Sequence, residues 1–179
     1  MSNQALILVD IQNDYFPGGA MELVRMEEAA TNAAKILADA RRSGTRVFHI
    51  QHIAQNANAT FFLPNTAGAD HHELVRPADD EVLIQKHYPS AFRETGLAEQ
   101  LNDENLTELQ IVGAMSHMCI DATTRAAFDA GFSCTVVQDA CATRDLTFNG
   151  RDVDAADVHA AFMAALSSPY ATVINTSDI

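Results

Sequence analysis

Six short apolar runs, separated by wide intervals, constrain the fold of this chain more than any other feature of its sequence. Each run is rich in Val and Ile and is continuous rather than alternating with polar residues. The runs are Ala5–Val9, Arg46–Ile50, Glu81–Gln85, Leu109–Gly113, Ser133–Val137 and Ala171–Ile174. Continuous apolar runs are typical of strands buried on both faces, as in parallel sheets. We therefore expect about six strands in a mostly parallel sheet.

Helical segments lie between these runs. The most strongly periodic is Met26–Ser43, in which apolar residues recur at helical spacing and after which Gly44 ends the helix. Further predicted helices are Leu97–Leu101, Met118–Ala130 and the Ala-rich Asp154–Leu166. The alternation of strand and helix favours a doubly wound α/β fold, with helices on both faces of the sheet.

Two segments break this alternation. Ile53–Asp80 contains two prolines and has no clear period, and Ala140–Arg151 is interpreted as a second irregular stretch. Long irregular segments in compact domains often form lids or contact partners. Because no change of composition marks a boundary, we predict that residues 1–179 form a single domain.

The charge balance excludes several classes of protein. Asp and Glu number 24 and Lys and Arg number 11, which gives a formal net charge of −13 at pH 7. A polyanion repels phosphate backbones and anionic membranes, so we expect neither nucleic acid nor membrane as a partner. No apolar run reaches the roughly 18 residues of a membrane span, and the N-terminus does not resemble a signal peptide.

The chain has three cysteines, an odd number, and none of them are spaced as C-x-x-C. This count argues against a disulfide framework and against a zinc knuckle, and it favours a reducing compartment. We therefore predict a cytoplasmic protein.

Three chemically versatile side chains follow the ends of predicted strands. Asp10 follows the first run, Lys86 follows the third, and Cys119 follows the fourth, at the start of a predicted helix. Ligands of open α/β sheets bind outside the carboxyl ends of the strands, so these groups converge if their strands are neighbours. A helix N-terminus and a nearby cation both favour a thiolate. The pattern favours acyl transfer to Cys119, with Asp10 carrying the proton and Lys86 supplying the cation.

Each of these residues also has an ordinary structural interpretation. An isolated cysteine is usually a small buried apolar residue, and we interpret Cys134, in a strand, and Cys141, in a loop, in that way. An Asp at a strand end is often a turn former, and a Lys there is usually solvated. The occurrence of all three residue types at strand ends of one fold favours a site.

The histidines and glycines give no cofactor signature. His49 and His52 lie three residues apart at the end of the second run, and such residues point to opposite faces of an extended chain. No acidic residue completes a ligand set at an obvious spacing, and no phosphate-loop motif occurs. We expect no bound metal and no cofactor.

Five stretches of the chain, in this order, resemble the isochorismatase-like cysteine hydrolases, which include nicotinamidases and N-carbamoylsarcosine amidohydrolases. The stretches are ALILVDIQNDYFPGGA, VLIQKHYPSAF, LQIVGAMSHMCIDATTRAAFDAGF, VVQDACATRD and VHAAFMAAL. They extend over essentially the whole chain. The resemblance implies a three-layer α/β/α sandwich that is usually assembled as a dimer or tetramer.

The resemblance also implies a catalytic triad of Asp10, Lys86 and Cys119, the residues that the strand ends already indicate. In this family a cis peptide bond precedes the nucleophile and shapes the oxyanion hole. By motif, that bond lies between Ala114 and Met115, and the N–H groups of Met115 and Cys119 are the implied oxyanion donors.

Departures from the family pattern bear on the substrate. Nicotinamidases carry an Asp-x-His metal motif after the second strand, where this chain reads Gln51-His52-Ile53-Ala54. The usual metal ligands are therefore missing, which disfavours nicotinamidase activity. True isochorismatases hydrolyse a vinyl ether and lack the cysteine, so Cys119 favours hydrolysis of a C–N bond.

We therefore predict a cysteine hydrolase that cleaves an amide, carbamoyl or ureido bond of a small molecule through a thioester at Cys119. Residues that flank the triad segments are predicted to contact this substrate: Phe16, His52, Tyr88, Phe92 and His117. Family analogy predicts a homodimer or homotetramer. Two alternatives remain open, namely a thiol redox protein that pairs Cys119 with Cys141, and a catalytically silent binding or scaffold protein of the same fold.

Overall fold

The structure is a computed structural model that describes residues 3–179. Its strands are β1 (Gln4–Val9), β2 (Arg46–His52), β3 (Val82–Lys86), β4 (Glu108–Ala114), β5 (Ser133–Ala142), β6 (Leu146–Phe148), β7 (Arg151–Val153) and β8 (Thr172–Ile174). Six of them form one sheet in the order β3-β2-β1-β4-β5-β8, and neighbouring strands in it are parallel. The predicted number and direction of strands are confirmed.

Helices cover both faces of this sheet. They are α1 (Met26–Ser43), α2 (Leu97–Asp103), α3 (Asp121–Asp129) and α4 (Ala155–Leu166). The buried face of α1 shares one apolar cluster with Leu6 and Leu8 of β1. Buried residues of α2, α3 and α4 share a second cluster with Ala5, Ile7 and Val9. The predicted three-layer α/β/α sandwich is confirmed, and burial of β1 on both faces explains why its apolar run is continuous.

The predicted helix Met118–Ala130 is divided in two in the structure. A π-helical turn, Ser116–Ile120, follows β4 and carries Cys119, and α3 begins only at Asp121. Because π-helical turns occur mostly as single turns near functional sites, this local departure marks the segment that holds the cysteine.

The prediction of an irregular stretch over Ala140–Arg151 is wrong. Strand β5 continues to Ala142, and β6 and β7 form an antiparallel hairpin. Asn149 and Gly150 lie between these two strands, both with positive φ, as a two-residue hairpin turn requires. Cys141 therefore lies in a strand, paired with Gly113, and not in a loop.

The segment Ile53–Asp80 contains no strand and only two short 3₁₀ turns. It packs against its own chain, since Phe62 and Val75 are buried in the cluster that α1 covers. The carboxylate of Asp14 accepts the backbone N–H of Phe62 at 2.6 Å. Among residues 3–179, no helix is both long enough and apolar enough to cross a membrane.

Candidate active site

The three predicted catalytic residues meet at the carboxyl edge of the sheet. Asp10 directly follows β1, Lys86 is the last residue of β3, and Cys119 lies in the turn after β4. Strands β1 and β4 are neighbours, but β2 separates β1 from β3. The long side chain of Lys86 spans that gap, so the three groups converge although their strands are not all adjacent.

Local backbone geometry positions Asp10. Its φ is 52°, in the left-handed region that few residues other than glycine adopt, and its N–H donates to the carbonyl of Ile50 at 3.0 Å. On the neighbouring strand, Gly113 has φ +125°, and a Cβ there would overlap the carbonyl oxygen of Val9. Only glycine lets β4 approach β1 this closely, which brings the turn that carries Cys119 to Asp10.

The ammonium group of Lys86 lies at the centre of the cluster. The side chain is fully buried, and Nζ lies 2.7 Å from Asp10 Oδ2 and 3.3 Å from Cys119 Sγ. Nζ also lies 2.9 Å from His52 Nδ1 and donates to the carbonyl of Tyr88 at 3.1 Å. An ammonium has three protons, so four partners saturate it, and a buried charge needs such saturation.

The carboxylate of Asp10 is less completely satisfied. It is fully buried, and within the described part of the chain no group donates a hydrogen bond to its Oδ1. Cys119 is 5% exposed, and its Sγ lies within 4.8 Å of an Asp10 oxygen. Buried acceptors without donors are rare in proteins. This one is available to receive the proton of the thiol.

Electrostatics within the cluster keep the lysine charged and the cysteine neutral. Burial alone lowers the pKa of Lys86, but the charges of Asp10 and Cys119 and hydrogen bonds to them raise that pKa above its usual value. Burial raises the pKa of the Cys119 thiol, Asp10 raises it further, and Lys86 only partly opposes both. Because burial and Asp10 outweigh Lys86, these directions favour a neutral thiol in the free protein, which Asp10 is placed to deprotonate.

Several hydrogen bonds hold the turn that contains the cysteine. The peptide bond between Ala114 and Met115 is cis, at the position that the resemblance implies. The carbonyl of Met115 accepts from the N–H groups of Met118 at 3.0 Å and Ile120 at 3.2 Å. The hydroxyl of Ser116 lies 2.8 Å from His159 Nδ1, which ties the turn to α4. The backbone from Met115 to Cys119 is thus held in one conformation.

A cavity of about 510 Å³ opens beside Lys86. Its walls come from the end of β2, the start of the irregular segment and the residues after β3; they are His52, Ala54, Gln55, Asn56, Ala59, Phe61, His87 and Tyr88. Two residues predicted to contact substrate, His52 and Tyr88, lie here. The beginning of the segment Ile53–Asp80 therefore covers the site of its own chain.

The other three predicted substrate contacts lie outside the walls of this cavity. Phe16 stacks on His72 with ring centroids 3.6 Å apart, and Phe92 packs near Phe132 at 5.9 Å. His117 Nδ1 lies 2.6 Å from the hydroxyl of Thr143. Their roles in binding remain predictions. The sequence analysis did not single out His87, which directly follows Lys86, or the individual wall residues Ala54, Gln55, Asn56 and Ala59, although it expected the segment Ile53–Asp80 to form a lid or contact a partner.

One group of metal-ligand types does occur at the site. Ligand atoms of Asp10, His52 and Cys119 all lie within 4.8 Å of one another. The sequence did not predict this group because its members follow three different strands. However, the Lys86 ammonium contacts all three side chains, and a metal ion cannot share that position with it. The donor set therefore does not fit a metal while Lys86 is charged.

Comparison with known proteins gives consistent matches over the whole chain. The family model described as isochorismatase domain matches residues 4–178. The isochorismatase family protein YddQ of Bacillus subtilis (strain 168) is 52% identical over 172 residues, 96% of each chain. Maleamate amidohydrolase of Pseudomonas putida KT2440 is 28% identical over 97% of this chain and 84% of that protein. The crystal structure of a putative isochorismatase hydrolase from Oleispira antarctica superposes with a TM-score of 0.94 at 49% identity, covering 98% of this chain and 94% of that one.

Proposed function

Because this chain belongs to the isochorismatase family, we propose that it is a cysteine amidohydrolase that cleaves the C–N bond of a small amide, carbamoyl or ureido compound. The observation that carries this proposal is the buried contact of Lys86 Nζ with both Asp10 Oδ2, at 2.7 Å, and Cys119 Sγ, at 3.3 Å. The similarity to a maleamate amidohydrolase supports the same class of bond.

In the first half of the proposed reaction, the thiol proton of Cys119 passes to the free oxygen of Asp10. Sγ then attacks the substrate carbonyl carbon, and the oxygen takes up negative charge that the N–H groups of Met115 and Cys119 stabilise. Asp10 returns the proton to the departing nitrogen. The C–N bond breaks, an amine or ammonia leaves, and a thioester to Cys119 remains.

In the second half, a water molecule gives a proton to Asp10 and attacks the thioester carbonyl. The C–S bond breaks, a carboxylic or carbamic acid leaves, and Asp10 returns the proton to the Cys119 sulfur. Lys86 stays protonated throughout and stabilises whichever of its two neighbours is negatively charged. A neutral thiol in the free protein fits this scheme, because the proton moves only when substrate supplies an electrophile.

The test of this proposal is release of ammonia or amine from a panel of small amides and ureas that includes maleamate. Wild-type protein is compared with Cys119→Ala, which removes the nucleophile. The matched control is Cys134→Ala, since Cys134 is also a free buried cysteine but lies outside the site, near Thr124. We expect turnover in wild type and control and none in Cys119→Ala.

Full activity in Cys119→Ala would overturn the mechanism. Failure of wild type to hydrolyse any compound that binds it would instead favour the catalytically silent alternative. A Cys119–Cys141 disulfide that forms with peroxide, detected by non-reducing peptide mapping, would favour the redox alternative. In the structure both cysteines are free and buried.

The proposal includes assembly as a homodimer or homotetramer in the cytoplasm, where a catalytic thiol stays reduced. Exposed apolar side chains support assembly, above all Phe148 of β6, which is 75% exposed. Light scattering coupled to size exclusion measures the mass directly. We expect a multiple of 19.4 kDa, and a monomer at all concentrations would contradict the proposal.

A further inference from the structure

The cavity beside Cys119 contains two histidines whose proton positions are set by their partners. The first is His52, whose Nδ1 lies 2.9 Å from the Lys86 ammonium. Burial lowers the pKa of His52 to about 4, and the charge of Lys86 lowers it too, so the ring is neutral at pH 7. Because the ammonium can only donate, Nδ1 accepts and the ring proton is on Nε2. Within residues 3–179 no group bonds to Nε2.

The second histidine, His87, has the opposite arrangement. Its Nδ1 lies 2.8 Å from the carbonyl oxygen of Ile53, and a carbonyl can only accept. The ring proton is therefore on Nδ1, and in the neutral ring Nε2 is an acceptor. Both rings line the cavity. His52 is paired with Lys86 across β2 and β3, and His87 directly follows Lys86. The cavity thus offers one donor, on His52, and one acceptor, on His87.

The remaining walls supply no fixed charge. Within the described chain, the lining contains no Asp, Glu, Lys or Arg, and its other polar side chains are Gln55, Asn56 and Tyr88. Arg93 lies over the Tyr88 ring at 3.5 Å, but it is outside the lining and is ion-paired with Glu94 at 3.6 Å. An anion that entered this cavity would lose hydration without gaining a counter-charge from the walls, and such a loss is costly.

We propose that this cavity recognises an uncharged carboxamide-like group of the substrate, with His52 Nε2–H donating to its oxygen and His87 Nε2 accepting from its N–H. The inference rests on the proposed function, because it places this group within reach of Cys119. It narrows the substrate class to compounds that carry an uncharged carboxamide-like group beside the bond that Cys119 attacks. Compounds with a carboxylate in the same place are excluded, since they offer no donor to His87 and bring an unpaired charge.

The test uses two alkylating reagents of similar size, iodoacetamide and iodoacetate, which differ in that one carries a carboxamide and the other a carboxylate. The rates at Cys119 are measured by peptide mapping, and their ratio is divided by the ratio for glutathione in the same buffer. Salt near 1 M reduces the Debye length to about 3 Å, which removes the long-range effect of the acidic protein. We expect Cys119 to prefer iodoacetamide about tenfold more than glutathione does, as two hydrogen bonds allow.

Attraction by the Lys86 cation alone predicts the opposite preference, for iodoacetate. A ratio equal to that of glutathione, or one that favours iodoacetate, overturns the proposal. His52→Leu and His87→Leu should each reduce the preference several-fold, whereas His52→Gln, which keeps an N–H donor, should retain most of it. The ratio of alkylation rates in the wild-type protein tests the proposal even if a leucine variant does not fold.

A second measurement reports the proton positions directly. Long-range ¹H–¹⁵N spectra of histidine-labelled protein, assigned with the two variants, should show the His52 proton on Nε2 and the His87 proton on Nδ1. The reverse arrangement in either ring overturns the proposal. Neither measurement requires hydrolysis. A preference for iodoacetamide without any amide turnover therefore refutes the proposed function alone, and turnover without the preference refutes this inference alone.

Discussion

Strand β3 has an ionic cluster at each end, and the two clusters differ in how completely their groups are satisfied. At the amino end, Glu81 accepts hydrogen bonds from Arg41 Nε at 2.7 Å, from Arg41 Nη2 at 2.8 Å and from the Ala78 N–H at 2.8 Å, and it also pairs with His49 Nε2 at 2.8 Å. At the carboxyl end, Asp10 Oδ1 has no donor in the described chain. The first cluster has every carboxylate oxygen occupied, and the second keeps one free.

The protonation of the two clusters follows from this difference. Burial alone raises the pKa of Glu81, but Arg41, the Ala78 N–H and His49 together lower that pKa to about 2. Burial and Asp10 raise the pKa of Cys119 instead. A carboxylate whose oxygens all accept hydrogen bonds stays ionised, and its role is to stabilise the fold. A carboxylate with a free oxygen beside a neutral thiol has a proton transfer still to make, which is why perturbed groups of this kind indicate function.

The largest effect should come from removing the Lys86 cation of the carboxyl-end cluster. Lys86→Met leaves the buried Asp10 carboxylate unpaired, and we expect a loss of about 3–5 kcal/mol in the free energy of unfolding. Amide turnover should fall by at least about 10⁴-fold, because proton transfer and charge stabilisation are both lost. The control is Arg41→Met, in which Glu81 keeps its Ala78 and His49 partners.

Arg41 is 40% exposed, so Arg41→Met should cost only about 1 kcal/mol. It should leave turnover within about twofold of wild type, since a surface-side pair does not reach the reacting atoms. Denaturant unfolding and ammonia release measure the two quantities. Equal losses of turnover in the two variants would show that the clusters do not differ in function.

The next largest effect should distinguish the carboxylate of Asp10 from that of Glu81. Asp10→Asn removes the negative charge that raises the pKa of Cys119, so that pKa should fall and alkylation at pH 8 should become about tenfold faster. Turnover should nevertheless fall about 10³-fold, because the amide cannot carry the thiol proton. Glu81→Gln should change neither the alkylation rate nor the turnover number. Slower alkylation of Asp10→Asn would mean that the carboxylate holds a thiolate rather than opposing one.

A smaller loss should follow from separating β4 from β1. Gly113→Ala introduces a methyl group against the Val9 carbonyl at positive φ, and we expect a cost of about 3 kcal/mol and a loss of turnover of about 10²-fold. Gly131→Ala is the matched control, since Gly131 also has positive φ but its Cβ would meet nothing within 4 Å. It should cost about 1 kcal/mol and leave turnover unchanged. Comparable losses of turnover in the two variants would contradict the positioning argument.

The residues at the two ends of β3 also show what the sequence could predict. Apolar runs identified the central strands to within a few residues, and the rule that ligands bind at carboxyl strand ends selected Asp10, Lys86 and Cys119. The same rule says nothing of Glu81, which lies at the opposite edge. Asn149-Gly150 is a residue pair typical of a tight hairpin turn, and this signal predicts the hairpin that the structure has in place of an irregular stretch.

The rest depended on three-dimensional distances that no spacing reports. Lys86 reaches past β2, and His52 joins the cluster only because it is paired with Lys86 in the sheet. The pKa of Cys119 is raised mainly by the burial of the turn, which the motif around the cysteine does not report. The cavity walls from Ala54 to Phe61 belong to a segment without periodicity, whose irregularity indicates a lid or a partner contact but not which of its residues approach the site.

The smallest expected effect concerns pH and distinguishes the clusters without any substrate. Because the pKa of Glu81 is about 2 in the folded protein, below its usual value of 4.5, its contribution to stability is complete above pH 4.5 and is lost as the pH falls towards 2. Glu81→Gln cannot take up that proton, so its stability should decline less steeply between pH 4.5 and 2 than that of wild type. Cys119→Ala should follow the wild-type curve in this window, since its thiol is already protonated there. Thermal unfolding at a series of pH values measures the three slopes. Identical slopes in Glu81→Gln and wild type would show that the amino-end cluster does not hold its carboxylate more tightly than water does, and the contrast between the two ends of β3 would fail.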